Sequence, residues 1–393
     1  NCMSHEFTLS ARQRIVVYRE MTRLRRTGAD PARLRELAAA YRYMGDQTCA
    51  ADGLCATSCP VEIDTGKLIK HLRRAQLRPP AHRLAEWIGD HMGTVTGLTR
   101  LGLGAADAVH GLIGAKRMRH LSEALRRLSR GRLPLWTPWM PTSAAAVAWV
   151  PVRAATPRRA VYFPSCITRS MGPPRGAQAE GNLPAVTARL IRKAGYEIIY
   201  PENMTALCCG MPFASKGIED VADKRARELG RALLAASDNG RLPVVCDMSP
   251  CLHHMRETLD RRLRLYEPIR FTLEVLAPHL KFSKLPETVA IHTVCSAKKM
   301  GLEAPLRQLA EMCAQKVAAP DVLCCGFAGD RGFTHPELNA FGLRRLAEQI
   351  PADCAGGYST SRTCEIGLSH HAGVNYRSIL YLVDRATEAA AGG

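Results

Sequence analysis

The sequence of 393 residues has few aromatic side chains and no long apolar run. Aromatic residues make up 6% of the chain. No uninterrupted stretch of about 18 apolar residues is present that would cross a bilayer, and the start lacks the basic, apolar and small-residue pattern of a secretory signal. These absences predict a soluble or peripheral protein. We expect it in the cytoplasm, either free or peripheral on the inner membrane.

A flavin- or nucleotide-binding signature is also missing. The stretch G-L-G-A-A at residues 102–106 is too short to count as one and falls in a predicted helix. The sequence begins with Asn1 rather than Met, and Cys2 already fits a motif described below. We therefore expect the natural protein to extend upstream of this sequence.

The net charge of +18 is concentrated in the N-terminal part. Up to residue 160 the sequence has 26 basic and 12 acidic residues, a balance of +14, whereas the remainder carries +4. Such a part can face nucleic acid, an anionic membrane surface or an acidic partner, or its arginines can simply solvate helix faces. The low aromatic content argues against nucleic acid, because bases need aromatic rings for stacking.

Cysteine, in contrast, is abundant, with 15 residues. Without an export signal this number indicates metal or redox chemistry rather than a disulfide framework. Two adjacent pairs, each followed by glycine, strengthen the inference, since vicinal cysteines are poor partners in ordinary disulfides. Cys313 and Cys354 fit the alternative of scattered buried thiols.

One cysteine motif, C-A-A-D-G-L-C-A-T-S-C-P, starts at Cys49. It matches the bacterial ferredoxin run C-x2-C-x2-C-x3-C-P except that Asp52 replaces the second cysteine. In two-cluster ferredoxins the fourth cysteine binds the other cluster, so Cys49, Asp52 and Cys55 are predicted to line one 4Fe-4S cluster and Cys59 to reach a second. Cys2 is then the crossing cysteine of an earlier run. Asp52 either binds an iron as a harder donor, or leaves that iron labile, or is only a turn residue.

The chain divides into four predicted parts. Residues 1–70 form a helical, ferredoxin-like 4Fe-4S segment, with Asp30 and Pro31 as N-cap and first residue of a helix. Residues 71–150 form a basic helical connector that ends in a proline-rich linker. Residues 151–282 and 283–393 form two α/β domains.

The two α/β domains look like copies of one unit. Each has a short apolar strand running into a cysteine, then a C-C-G turn, then a last cysteine, with helices between. The four cysteines of the first copy are Cys166, Cys208, Cys209 and Cys251; those of the second are Cys295, Cys324, Cys325 and Cys364. Alternating strands and helices predict mainly parallel sheets, with the cysteines in loops after strands.

The motifs together resemble the iron-sulfur half of the FAD-linked D-lactate dehydrogenases, relatives of glycolate oxidase. The resemblance spans residues 1 to about 385 and includes C-C-G-F-A-G-D-R-G-F-T-H-P-E-L and S-R-T-C-E-I-G-L. It implies a flavin domain carrying FAD upstream of Asn1 or on a separate chain, and a quinone or cytochrome as electron acceptor. It also implies that this part alone does not oxidise a 2-hydroxy acid.

The C-C-G domains also resemble those of heterodisulfide reductase, which end in C-x2-C. Here Met248 and Ser361 stand three residues before the last cysteines, and Cys246 lies two residues before Met248. Each domain therefore keeps four matching cysteines, a number that fits either an iron-sulfur cluster or a tetrahedral zinc site. Electron transfer is the leading prediction. A thiol-disulfide oxidoreductase and a metal-scaffolded nucleic-acid-binding protein are the alternatives.

Overall fold

The structure, a computed structural model, describes residues 6–131, 133–146 and 158–390. Its N-terminal part is helical, as predicted for residues 9–44, and contains α1 Ala11–Thr27, α2 Pro31–Tyr41, α3 Leu54–Thr57 and α4 Thr65–Ala75, with a π-helical turn at Arg42–Gln47. The Asp30 side chain accepts a hydrogen bond from the backbone N–H of Arg33 at 2.9 Å, which confirms the predicted N-cap. Asp64 caps α4 through the N–H of Gly66 at 2.7 Å.

Two further helices form the connector. They are α5 Pro79–Asp90 and α6 Met92–Leu128, and α6 bends at Gly114, whose φ of 76° and ψ of 166° are not helical. After α6 the predicted linker contains a short strand, β1 Pro141–Ser143, which pairs antiparallel with β3 Met171–Pro174. The predicted domain boundary near residue 150 lies outside the described residues. No helix in the described ranges is long and apolar enough to cross a membrane.

The first α/β unit is built on a four-stranded sheet with the order β4-β2-β5-β6, in which every neighbouring pair is parallel. Its elements are β2 Arg159–Phe163, α7 Cys166–Ser170, β3 (given above), α8 Leu183–Lys193, β4 Glu197–Ile199, α9 Met211–Ala214, α10 Glu219–Ala236, β5 Pro243–Cys246, α11 Ser249–Thr258, β6 Arg264–Tyr266 and α12 Pro268–Arg270. Strands β2 and β5 are central and almost wholly buried, which explains why they read as apolar runs.

The second unit has a sheet of the order β11-β10-β8-β9, again entirely parallel. Its elements are β7 Leu280–Phe282, β8 Leu285–Ile291, α13 Cys295–Lys299, α14 Glu303–Cys313, β9 Ala314–Ala318, α15 Arg331–Thr334, α16 Pro336–Gly342, β10 Cys354–Ser359, α17 Arg362–Ala372, β11 Tyr376–Ser378, α18 Ile379–Arg385 and β12 Thr387–Ala389. In chain order the first, second, third and fourth strands of both sheets occupy the same positions. The two sheets therefore share one topology.

The buried side chains of the two units form one continuous apolar cluster. Strands β7 and β12 add an antiparallel ribbon in which Leu280 pairs with Ala389. The boundary predicted at residues 282 and 283 thus separates two sheets but not two cores. A smaller apolar cluster joins the connector to the first unit through Ala85, Met92 and Phe213.

Candidate metal centres

The four predicted cysteines of the first unit come from the carboxyl ends of three adjacent strands. Cys166 begins α7 just after β2, Cys208 and Cys209 follow β4, and Cys251 lies in the first turn of α11 after β5. Strands β4, β2 and β5 are neighbours in the sheet. Because their carboxyl ends meet at one edge, the four thiols face a common site.

Neighbouring thiols and burial shift the ionisation of this set. The Cys208 thiol and burial raise the pKa of Cys166 well above its ordinary value. The pKa of Cys251 is lowered by the Cys209 thiol, but the Cys246 thiol and burial raise it to well above the usual range. Thiols of this kind stay protonated at neutral pH unless a cation holds them as thiolates. The set therefore has the chemistry of a metal site.

Polar contacts fix the loops that carry these cysteines. The Arg169 guanidinium donates to the carbonyl oxygens of Met204 and Leu207, which ties α7 to the loop before the cysteine pair. The buried Asp247 carboxylate accepts hydrogen bonds from the Ser165 N–H at 3.0 Å and from the Thr168 hydroxyl at 2.8 Å. The end of β5 is thereby joined to the start of α7.

The second unit repeats this arrangement. Cys295 begins α13 after β8, Cys324 and Cys325 follow β9, and Cys364 lies in the first turn of α17 after β10. The Cys324 thiol and burial raise the pKa of Cys295 well above its ordinary value. The thiols of the second unit therefore carry the same signature as those of the first.

The glycine of each C-C-G turn makes the same contact. The Gly210 N–H donates to Cys208 Sγ at 3.5 Å, and the Gly326 N–H donates to Cys324 Sγ at 3.4 Å. Both glycines have a positive φ, of 88° and 72°. Such N–H groups stabilise a thiolate, so the turns are suited to hold the first sulfur of each pair in its charged form.

The two positions at which C-x2-C is broken connect the units. The Arg362 N–H, next to Ser361, donates to Met248 Sδ at 3.2 Å. The Ser249 N–H donates to the Thr360 carbonyl at 3.1 Å, and the two hydroxyl groups lie 2.8 Å apart. The residues that replace cysteine thus serve packing between the units.

The N-terminal motif surrounds a small cavity of about 30 Å³ whose lining includes Cys49, Asp52, Cys55 and Arg14. Burial raises the pKa of the Cys49 thiol, while the guanidinium of Arg14 lowers it. The Cys55 Sγ lies 3.3 Å from the Thr65 hydroxyl. Three of the predicted ligands are therefore together, beside a buried cation that offsets thiolate charge.

Two other predicted ligands are not at this cavity. Cys59 is partly buried and lies outside the set of residues that line it. Cys2 lies outside the described residues. Cys313 and Cys354 also belong to neither thiol set, in line with the predicted alternative of isolated thiols; burial alone raises the pKa of Cys313 to about 12.

Cys246, which the sequence pattern did not select, belongs to the first set. It is the last residue of β5 and is fully buried. Its thiol is a neighbour of Cys251, and this contact lowers the pKa of Cys246, although burial is the larger effect and raises it. The first unit therefore has five associated thiols and the second has four.

The spread of the sulfurs bears on the choice of metal. Tetrahedral zinc bound at about 2.3 Å holds its thiolates roughly 3.8 Å apart. Among the residues that the structure describes, three ligand atoms lie within 4.8 Å of one another only at His82, Glu86 and Asp220, a surface group without cysteine. The cysteine sets are wider than a zinc site and fit a cluster in which each thiolate binds its own iron.

Comparisons with known proteins agree with this geometry. Residues 160–256 match the family model of the cysteine-rich CCG domain. A stretch of 163 residues is 28% identical to one of the subunits of anaerobic glycerol-3-phosphate dehydrogenase from Escherichia coli K12, and equally to the same protein from Escherichia coli O157:H7; it covers 37% of this chain and 41% of each relative. The chain thus spans about two-fifths of the curated relatives that it matches. The first unit is similar to a cysteine-rich domain of this type.

Proposed function

We propose that the chain is the electron-transfer, iron-sulfur part of an FAD-linked dehydrogenase. The observation that carries this proposal is the pair of buried cysteine sets at equivalent edges of two parallel sheets. A third, smaller set lies in the N-terminal motif. The matches to a cysteine-rich domain and to a dehydrogenase subunit support an oxidoreductase of this kind.

The residues that would hold the clusters are the two thiol sets and, at the motif, Cys49 and Cys55. A bound iron-sulfur cluster accepts and donates one electron at a time. The protein contributes burial, the N–H groups of Gly210 and Gly326, and nearby guanidinium groups. Each of these favours retention of the thiolate charge.

Helix contacts make the three sites contiguous. Helix α3 of the motif packs on α13, which begins with Cys295, and α13 packs on α11, which carries Cys251. This contiguity supports a relay, because electrons pass efficiently only between centres that lie close together.

The partners follow from the resemblance and from the matched relatives. We infer a flavin domain, upstream or on a separate chain, that takes a hydride equivalent from a D-2-hydroxy acid such as D-lactate, and a quinone or cytochrome as acceptor. A mixture of this chain with its flavin partner should reduce the acceptor, whereas this chain alone should not. Oxidation of D-lactate by the chain alone would contradict this assignment.

Iron and acid-labile sulfide analysis of anaerobically purified protein, with paramagnetic resonance after reduction, tests the central proposal. We expect iron and sulfide in near-equal amounts and signals from reduced clusters. Cys209→Ser and Cys325→Ser should each remove a separate fraction of the iron, and the control Cys354→Ser should remove none. Stoichiometric zinc without sulfide would overturn the proposal in favour of a structural site.

Cys246 supports a second candidate function, a thiol-disulfide oxidoreductase of the heterodisulfide type. The first unit has five associated thiols, which is the number in the heterodisulfide reductase pattern. Reduction of a disulfide by the iron-loaded, chemically reduced chain, without any flavin and dependent on Cys246, would favour this candidate. No turnover with a range of disulfides would leave the relay as the better description.

A further inference from the structure

Asp52 lies at a turn that is shaped by its two neighbours. Ala51 has a φ of 52° and Gly53 a φ of 76°, so the chain is left-handed on both sides of the aspartate. Few alanines adopt this conformation, because their Cβ approaches the backbone. The turn therefore sets the direction in which the Asp52 side chain points.

The carboxylate of Asp52 contacts a cysteine of the second unit. Besides the N–H of Leu54, at 3.1 Å, its hydrogen-bond donors include the thiol of Cys324. The carboxylate also raises the pKa of Cys295 and that of Cys324. The cysteine that should share its cluster, Cys55, instead has Thr65 at 3.3 Å and Asp64 at 4.0 Å.

Packing of the motif on the second unit holds this arrangement. Helix α3, which begins two residues after Asp52, packs against α13. A Cβ at Gly53 would lie 2.8 Å from Asp64 Oδ2 and 3.1 Å from Lys299 Nζ. Glycine is thus needed twice at this position, for its φ and for the close approach of Lys299, the last residue of α13.

We propose that Asp52 belongs to the metal site of the second unit, as an oxygen ligand beside its four cysteines, and not to the cluster of its own motif. The inference rests on the proposed function, since it assumes that the cysteines hold iron. A metal bound to Cys324 in place of the thiol proton lies within reach of the carboxylate, and a carboxylate is a competent, harder ligand for iron. The second site then has a fifth donor, as the first has in Cys246.

Alkylation of individual cysteines tests this assignment residue by residue. Iron-loaded protein is treated anaerobically with iodoacetamide, and each cysteine peptide is quantified by mass spectrometry. Asp52→Asn should speed the labelling of Cys295 and Cys324 by about tenfold, the usual scale on which a lost metal contact weakens a site, and should leave Cys49 and Cys55 unchanged. Asn also supports the turn before glycine, so the variant should fold.

Asp64→Asn is the matched control, because it removes the same charge beside Cys55 and keeps the helix cap. It should change the labelling of Cys55 and not that of Cys324. In a Cys324→Ser background, Asp52→Asn should add little to the loss of iron, because both changes act on one site.

Two results would overturn the inference: faster labelling of Cys49 and Cys55 in Asp52→Asn, or no change at any cysteine. The first would return Asp52 to its own motif, and the second would make it a turn residue. Parent protein that binds neither iron nor sulfide would instead refute the proposed function. The two failures are therefore distinguishable.

Discussion

The glycine of the first C-C-G turn is a position at which the structure predicts a large cost for a single methyl group. Gly210 has a φ of 88°. A Cβ there would lie 2.4 Å from the carbonyl oxygen of Ala222 and 3.0 Å from its carbonyl carbon. Both are backbone atoms of α10, so no rotation of a side chain can relieve the clash.

Gly301 is the matched control for Gly210→Ala. Its φ of 70° is similar, but a Cβ there would have no neighbouring atom within 4 Å. Alanine in the left-handed region costs about 1 kcal/mol, and overpacking adds roughly 1–3 kcal/mol. We expect the free energy of unfolding to fall by about 1 kcal/mol for Gly301→Ala and by about 2–4 kcal/mol for Gly210→Ala.

Anaerobic urea denaturation followed by circular dichroism measures both losses. Iron content gives a second readout, because displacement of Gly210 moves its N–H away from Cys208, to which it donates at 3.5 Å. Only Gly210→Ala should lower bound iron. Equal destabilisation by the two variants, with equal iron, would show that the turn does not press on α10 and would refute the reasoning.

Three further predictions concern ionisation, loop structure and docking. Burial raises the pKa of Glu267 from 4.5 to about 7, so the folded state binds the proton more tightly and stability should fall as pH rises through this interval, by on the order of 3 kcal/mol; Glu267→Gln should abolish that fall in urea titrations at pH 5 and pH 8. Arg169→Lys keeps the charge but not the two-pronged contact with backbone carbonyls, and should lower the free energy of unfolding by about 1–2 kcal/mol and expose Cys166 to alkylation; unchanged values would contradict this role. Residues 71–132 should carry the chain onto anionic vesicles at low salt, since each basic residue near such a surface contributes about 1 kcal/mol and Leu112 and Leu128 are 85% and 84% exposed; equal flotation with neutral vesicles would exclude electrostatic docking.

The local features of the fold could be predicted from the sequence. Asp30 followed by Pro31 marks a helix start because capping depends only on adjacent residues. Apolar strands alternating with helices indicate parallel sheets, since a parallel connection needs a crossover helix. The position of cysteines in loops after strands then follows from topology. Each of these inferences needs no contact between distant parts of the chain.

The contact between Asp52 and Cys324 could not be predicted in this way. The two residues are far apart in sequence, and the ferredoxin pattern assigns every ligand to its own loop. What turns the carboxylate away is the left-handed pair at Ala51 and Gly53 and the packing of α3 on α13. Only the second of the two residues carries a sequence signal, because glycine tolerates a positive φ and alanine rarely adopts one.

Cys246 was missed for a different reason. It falls outside the C-x2-C spacing, and as the last residue of a buried strand it reads as an ordinary core thiol. Side chains alternate along a strand, so a shift of one position would have pointed it away from the site. Strand register decides such a case, and register was not determined by the cysteine spacing.

The position of the metal sites also changes what a cysteine substitution should report. The two units share one apolar core, and the N-terminal part is fastened to both: Arg73 donates to the Ser215 carbonyl of the first unit at 2.7 Å, and Arg331 of the second unit donates to the Gln47 carbonyl. Local loss of metal at one site should therefore remain separable, because each site has its own thiols. The stability of the units should not be separable, since unfolding either one exposes part of the common core. Iron content, and not melting behaviour, is for this reason the measurement that can assign each cysteine to its site.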